Sequence, residues 1–242
     1  MTFAYKVLRI IARKLNISFS FSSDGEDYIL LKIFENVHQG NYIDIGSNHP
    51  VLHSNTFSLY LRGWRGVCID PLPHLIPKYK LFRASDKFFN SGFHLGNTNK
   101  TSDFFYFPSH PDNSTFDPDY AQCLQDHYNR HFEVFNVSLI GIDDIISNFK
   151  DLKSIHLVSI DVEGLEFEII QEFIRKDIFP WVFCVEQLSY TLVDIKTSYI
   201  YEFLLNNGYV LISRTFLSSI YILESSLPKL INNHTKIWNV NK

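Results

Sequence analysis

The sequence predicts an α/β fold in which a mostly parallel central sheet carries helices on both faces. Short apolar runs rich in Val and Ile recur along the chain, and several of them end at Asp, Glu, Gly or Pro. Segments with helical apolar spacing lie between them, the alternation expected when parallel strands must be joined by crossover helices. No repeat, low-complexity tract or linker divides residues 1–242, so one domain is expected.

The elements follow in order. Tyr5 to Leu15 is basic and amphipathic, which predicts an N-terminal helix within residues 1–20. Such a helix covers one sheet face or rests peripherally on an anionic membrane. Charges interrupt its apolar stretch and no small-residue cleavage site follows, so it does not read as a signal peptide. Asn41 to Gly46 reads as a buried strand ending in a turn, and Thr56 to Leu61 as a helix stopped at Gly63. Gly66 to Asp70 is a second strand, closed by Pro71 and Pro73, and Leu75 to Phe82 a second helix.

Residues 86–140 read as irregular, with strands at Phe88-Phe89 and Phe104 to Phe107 and a loop at Pro108 to Asp119, which contains three prolines. Long loops in compact domains are commonly functional, so a substrate-facing insertion is expected there. Regular patterns then resume. Ile155 to Asp161 is a strand, Leu165 to Ile174 a helix, and Trp181 to Glu186 a strand. Tyr199 to Leu205 is a helix capped by Gly208, and Tyr209 to Ser213 with Ser219 to Leu223 forms a closing hairpin at the sheet edge.

Composition narrows the function classes. A net charge of −4 opposes a broad nucleic-acid surface, which needs clustered Lys and Arg. Cys68 and Cys184 sit in apolar strands and no cysteine pair has zinc-ligand spacing, so the thiols read as reduced and the compartment as cytoplasmic. No apolar run approaches the roughly 20 residues needed to cross a bilayer.

Chemistry concentrates at the predicted strand ends. In open α/β sheets, ligands bind beyond the carboxyl ends of the strands, near the switch in strand order. Asp44-Ile45-Gly46-Ser47-Asn48 lies there, with a glycine that lets backbone approach a ligand and an Asp able to accept from an ammonium group. Asp70 closes the next strand at about the 20-residue interval at which an acid meets ribose hydroxyls of an adenosine-containing cofactor. Dinucleotide sites use G-x-G-x-x-G, whereas positions 48 and 50 are Asn and Pro. That tilts the choice from NAD towards S-adenosylmethionine, which carries no phosphate.

Asp161 and Glu186 end two later strands. Either serves as a base for a hydroxyl nucleophile, or the two together hold a divalent cation that orients a sugar diol. Glu166 reads as a cap on the helix after Gly164. His49 and His53 follow the cofactor loop, and His49 is a second candidate base.

These motifs together resemble the FkbM family of methyltransferases. The matching blocks are Gly25-Glu26-Asp27-Tyr28-Ile29-Leu30-Leu31, Tyr42 to Pro50, Ser54-Asn55-Thr56, Gly63-Trp64-Arg65-Gly66, Ile69-Asp70-Pro71, Ser159 to Glu166 and Val185-Glu186. The resemblance spans roughly residues 20–215 and implies a Rossmann-like class I methyltransferase fold with S-adenosylmethionine as cofactor. It implies Asp44, Gly46, Ser47, Asn48 and Asp70 as cofactor-binding residues and Asp161 and Glu163 as a D-x-E-G motif near the transferred methyl. Glu186 and His49 complete the candidate catalytic set, and Glu26, His53 and Asn55 are assigned to the substrate. The chain departs from the family at Ser22-Ser23-Asp24, where a Ser-Gln pair is usual, at Ser47, usually Ala, and at Asp70, often Glu. The implied reaction is O-methylation of a sugar hydroxyl in a glycan or glycoconjugate, as in polysaccharide biosynthesis. Two other readings stand beside it: an NAD-dependent sugar oxidoreductase or epimerase, and a non-catalytic glycan-binding domain with a relic cofactor site.

Overall fold

A computed structural model describes residues 19–96, 100–148, 155–162, 164–188 and 191–230. The expected N-terminal helix, apart from its last two residues, and Glu163 lie outside the described residues.

Among the described residues, ten strands form two sheets. The central sheet contains β1 (Asn41–Ile45), β2 (Arg65–Ile69), β3 (Lys87–Phe89), β7 (Leu157–Ile160), β8 (Val182–Glu186), β9 (Tyr209–Arg214) and β10 (Ser218–Leu223), and its strand order is β3-β2-β1-β7-β8-β10-β9. Strand β10 runs antiparallel to β8 and β9, and the other neighbours pair in parallel. The chain builds outward from β1 to β3 and then returns to β7 on the other side. The switch point therefore falls between β1 and β7, where such sheets open a crevice. This is the Rossmann-like class I methyltransferase fold, with the closing hairpin inserted at one edge.

Alternation along the strands decides what each residue meets. Ile43, Ile45, Val67, Ile69, Val158, Ile160, Phe183 and Val185 join one core with Ile169, Ile170 and Phe173 of the helix Glu166–Arg175. The intervening residues face the other way. Asp44 pairs laterally with Cys68 and Ser159, Ser159 with Cys184, and Cys184 with Ile220. Cys68, Cys184 and Ile220 of this row pack with Leu30 of the helix Glu26–Ile33, with Leu59 of the helix Phe57–Leu61, and with Trp64. Asp44 thus stands in a row of otherwise small or apolar side chains, on a face covered by helices. The two cysteines of this row are buried free thiols.

Between residues 86 and 140 there is more regular structure than the composition suggests. Strands β4 (Gly92–Phe93), β5 (Thr101–Tyr106) and β6 (Glu133–Ile140) form a small sheet in the order β4-β6-β5. A helix spans Pro118–Tyr128, with Pro118 in its first turn and the Asp117 carboxylate accepting from Asp119 and Tyr120 N–H groups. Both elements are hard to read from sequence for the same reason. Only Ala121 and Leu124 of that helix are buried, and most of β6 is solvent-exposed, so neither carries a full apolar stripe. Among the described residues no helix is long and apolar enough to cross a membrane.

Candidate functional site

A cavity of about 360 Å³ opens beyond the carboxyl ends of β1, β2, β7 and β8. Gly46, Asn48 and Asp70 line one wall, and Asp161, Val162 and Glu186 the other. Phe93, Phe104, Pro111, Ser114 and Phe116 from the small sheet and its loop close the side next to Asp70. Ser23, His53 and Leu217 also line it.

The loop after β1 is held by its own backbone. Gly46 and Ser47 N–H groups donate to the Ile69 carbonyl, each at 3.0 Å. Asn48 N–H donates to Asp70 Oδ2 and Leu72 N–H to Asp70 Oδ1, both at 2.9 Å. Gly46 is required sterically as well as conformationally. Its φ is 75°, and a Cβ there would lie 1.6 Å from the Asp161 carbonyl oxygen. The two walls therefore touch at this residue.

Asp70 is buried, and burial pushes its carboxyl up to about 7 against the opposing effect of the two backbone donors. Each of its oxygens accepts one N–H and retains capacity for a further donor. Asp161 is open to the cavity. Its carboxyl is also raised, first because the surrounding walls displace water and next because Glu166, Asp44 and Glu26 add negative charge; its hydrogen bond with Glu186 opposes the rise. Among the described residues no group of three His, Cys, Asp or Glu side chains is arranged to hold a metal ion. Asp161 and Glu186 are a carboxyl pair, a pattern suited to holding and passing one proton.

Five other candidates do not line the cavity, and local geometry gives the reason in each case. Asp44 points along the β1 pleat into the helix-covered face, accepts from Thr56 Oγ1, and lies 3.9 Å from the Arg83 guanidinium. It is 4% exposed and does not line the cavity. Ser47 turns inward to Tyr79, whose hydroxyl donates to Ser47 Oγ at 2.8 Å. His49 Nδ1 accepts from Val51 and Leu52 N–H groups, which fastens the loop. Asn55 Nδ2 donates to Ser159 Oγ on β7 at 3.1 Å. Buried Glu26 accepts from Thr215 Oγ1 and from Asp24 N–H. Asp24 in turn accepts from Leu217 N–H, so the segment holds the β9–β10 turn at the cavity mouth. His53 remains at the mouth, with Nδ1 3.1 Å from Ser23 Oγ and a left-handed φ of 57°. Glu166 caps the turn ahead of its helix, accepting from Val162 and Gly164 N–H groups.

Comparison with known proteins settles which family this architecture serves. The family model for the methyltransferase FkbM domain matches residues 44–211, more than half of the chain. The chain belongs to the FkbM methyltransferase family. A search of curated proteins found no match. The matched span runs from Asp44 into β9, so it takes in Gly46, Asp70, Asp161 and Glu186 and the small sheet that walls the cavity.

Two parts of this methyltransferase site were not read from sequence. One is the aromatic wall of Phe93, Phe104 and Phe116, in which Phe104 and Phe116 lie with ring centroids 4.8 Å apart. The run Phe104 to Phe107 signals a strand, but nothing local says which of its rings turns towards β2. The other is the buried ion cluster beneath the loop. Arg83 donates to Asp86, Tyr42, Thr56 and Ser54 and faces Asp44. Its sole sequence signal is an Arg in an otherwise amphipathic segment.

Proposed function

We propose that this methyltransferase moves a methyl group from S-adenosylmethionine to a hydroxyl, with a carbohydrate or glycoconjugate as acceptor. The observation that carries the reading is one cavity with a sealed carboxyl, Asp70, on one wall and an open carboxyl pair, Asp161 and Glu186, on the other.

The residues fit such a cofactor. Gly46 gives backbone access, Asp70 retains acceptor capacity for ribose hydroxyls, and Leu72, Phe93 and Phe104 offer an apolar wall for a flat ring. Asn48 and Pro50 stand where a pyrophosphate site needs glycines, which favours a cofactor without phosphate. Bound S-adenosylmethionine supplies an already electrophilic methyl group, so the protein's work is orientation and removal of one proton. Asp161 accepts the proton of the acceptor hydroxyl, and Glu186 shares it through their hydrogen bond. His53 and Ser23 hold the acceptor at the mouth. The described cavity lining contains no Lys or Arg, which favours a neutral, hydroxyl-rich acceptor over nucleic acid.

Isothermal titration of the full chain with S-adenosylmethionine and S-adenosylhomocysteine tests this reading, with and without magnesium. Saturable binding at one site is expected, with the same isotherm in both buffers. No binding of either compound overturns the cofactor. A requirement for magnesium reassigns Asp161 and Glu186 from proton carriers to metal ligands.

A further inference from the structure

The loop from Gly46 to Thr56 carries Asn48 on one wall of the cavity and His53 at its mouth. Both residues hold a left-handed backbone, with φ of 40° at Asn48 and 57° at His53, although neither is glycine. That conformation is disfavoured at a residue with a Cβ and persists where the surroundings fix it. At Asn48 the fixing group is Asp70, which accepts its N–H. Past His53 the loop is gripped from the protein interior by Arg83. Its Nη1 donates to Ser54 Oγ at 3.3 Å and its Nη2 to Thr56 Oγ1 at 2.9 Å. Ser54 N–H and Asn55 Nδ2 add bonds to the Phe21 carbonyl and to Ser159 Oγ.

Thr56 shows what this contact is for. It stands immediately before the helix Phe57–Leu61, where a Thr side chain ordinarily caps the first turn, yet it makes no cap bond. Its buried hydroxyl turns inward instead, accepting from Arg83 and donating to Asp44. Arg83 follows the helix Ile76–Phe82 and is itself buried. Its Nε donates to Asp86 Oδ2 at 2.7 Å, and Nη2 also donates to the Tyr42 hydroxyl at 2.8 Å. The rings of Tyr42, Tyr60 and Tyr79 surround it, with centroids 5.3, 5.6 and 5.7 Å away. One planar guanidinium therefore ties β1, the segment before β3 and the cofactor loop into a single fork. The compact ammonium of a Lys does not reproduce that geometry.

We propose that Arg83 is a positioning residue of the methyl-transfer site, acting through Ser54 and Thr56 on the loop that carries Asn48 and His53. Asp70 clamps the loop near its start and Arg83 clamps it near its end, so the two left-handed residues between the clamps keep their places. The Thr56 hydroxyl is the joint through which Arg83 acts. The effect on cofactor affinity rests on the function proposed above. The effect on the loop does not, and it is measured without cofactor or turnover.

Arg83 is too deep to replace cleanly, because its removal leaves Asp44 and Asp86 buried without their cation. The test therefore cuts the joint. Four full-length proteins are compared: the parent, Thr56→Val, which keeps the shape and loses the hydroxyl, Thr56→Ser, which restores it, and Asp86→Asn. The last is the control for stability, since it weakens the bonds from Arg83, Tyr42 and Gly66 but leaves both arms to the loop. Hydrogen exchange on the free proteins, urea unfolding and calorimetric titration with S-adenosylhomocysteine are the readouts. The Asn48, Val51, Leu52 and Ser54 amides are all hydrogen-bonded, so a loosened loop exchanges faster. In Thr56→Val, residues 47–55 should exchange faster while β7 and β8 keep the parent's rates. Affinity should fall roughly tenfold, as expected for a lost hydrogen bond to a charged group. Thr56→Ser should restore both, and Asp86→Asn should lower the urea midpoint with affinity within about twofold of the parent. Unchanged loop exchange in Thr56→Val overturns the proposal, and so does exchange that rises equally in β7 and β8. An affinity loss in Asp86→Asn as large as in Thr56→Val also overturns it, because affinity then follows stability alone. If the parent binds no S-adenosylhomocysteine, the cofactor reading fails, and the exchange rates still decide the role of Arg83.

Discussion

The two walls of the cavity carry the same chemical group in opposite settings. Asp70 is sealed, and each of its oxygens already holds a backbone N–H from Asn48 or Leu72. Asp161 is open to the cavity, and its side chain pairs with another carboxyl, Glu186. Both carboxyls rise above the usual range, yet the restraints on them differ. A carboxyl fixed by two backbone donors cannot turn to follow a proton, but it presents its remaining lone pairs in fixed directions. A carboxyl beside a second one exchanges a proton with little rearrangement. On the function proposed above, the first wall holds the cofactor and the second takes part in the reaction.

The comparison breaks most sharply at Asp161. Asp161→Asn keeps the shape and removes the base, so turnover should fall by roughly 10²- to 10⁴-fold, the usual contribution of a positioned general base. Affinity for S-adenosylmethionine should stay within about twofold, because that wall is untouched. Steady-state rates and calorimetry on the same preparation check both halves. Unchanged turnover would remove Asp161 from the chemistry, and a parallel loss of affinity would show that the walls do not divide the labour.

The arrangement of the two walls was partly legible in the sequence. The strands β1, β2, β7 and β8 announce themselves as short apolar runs, and the acids at their ends fall at one edge once the sheet is parallel. Gly46, Asn48, Asp70, Asp161 and Glu186 were therefore placed together without coordinates. Proximity along the chain misled in other cases. Asp44 is two residues from Gly46, but the two-residue period of a strand turns it into the helix-covered face towards Thr56 and Arg83. His49 read as a candidate base, but the N–H groups its Nδ1 accepts from, those of Val51 and Leu52, lie in the irregular loop that it fastens. The small sheet stayed hidden because β6 is exposed along most of its length and its pairing with β5 is set by tertiary contact.

The seam between the walls offers a smaller and more local perturbation. Gly46→Ala places a methyl group on a backbone with φ of 75° and within 1.6 Å of the Asp161 carbonyl oxygen. The strained conformation and the overlap should together destabilise the fold by about 2 kcal/mol or more. A lower urea midpoint at unchanged slope would register it. Because the carbonyl that must move belongs to Asp161, the folded fraction should also lose turnover, whereas a variant confined to one wall would not couple the two losses. A midpoint equal to the parent would show that the close approach of the walls is not needed.

The smallest effect sharpens the comparison by pH. Burial holds the Asp70 carboxyl at about 7, so it gains a proton as pH falls through that value. In the proposed mode of cofactor binding, the ionised form accepts from two ribose hydroxyls. With a midpoint near 7, the ionised fraction drops roughly tenfold between pH 8 and pH 6, and cofactor affinity should fall by about the same factor. The sign is fixed by the direction of the shift: a carboxyl lowered by its donors would stay ionised throughout this range and give a flat profile. Asp70→Asn should weaken binding at pH 8 to about the level the parent shows at pH 6, and its affinity should then be insensitive to pH. Asp161→Asn should retain the parent's profile, since its wall does not hold the cofactor. Calorimetric titrations of the three proteins at pH 6, 7 and 8 decide the matter. A flat profile for the parent would mean that the backbone N–H groups of Asn48 and Leu72 outweigh burial, and that Asp70 holds its ligand as a permanent anion.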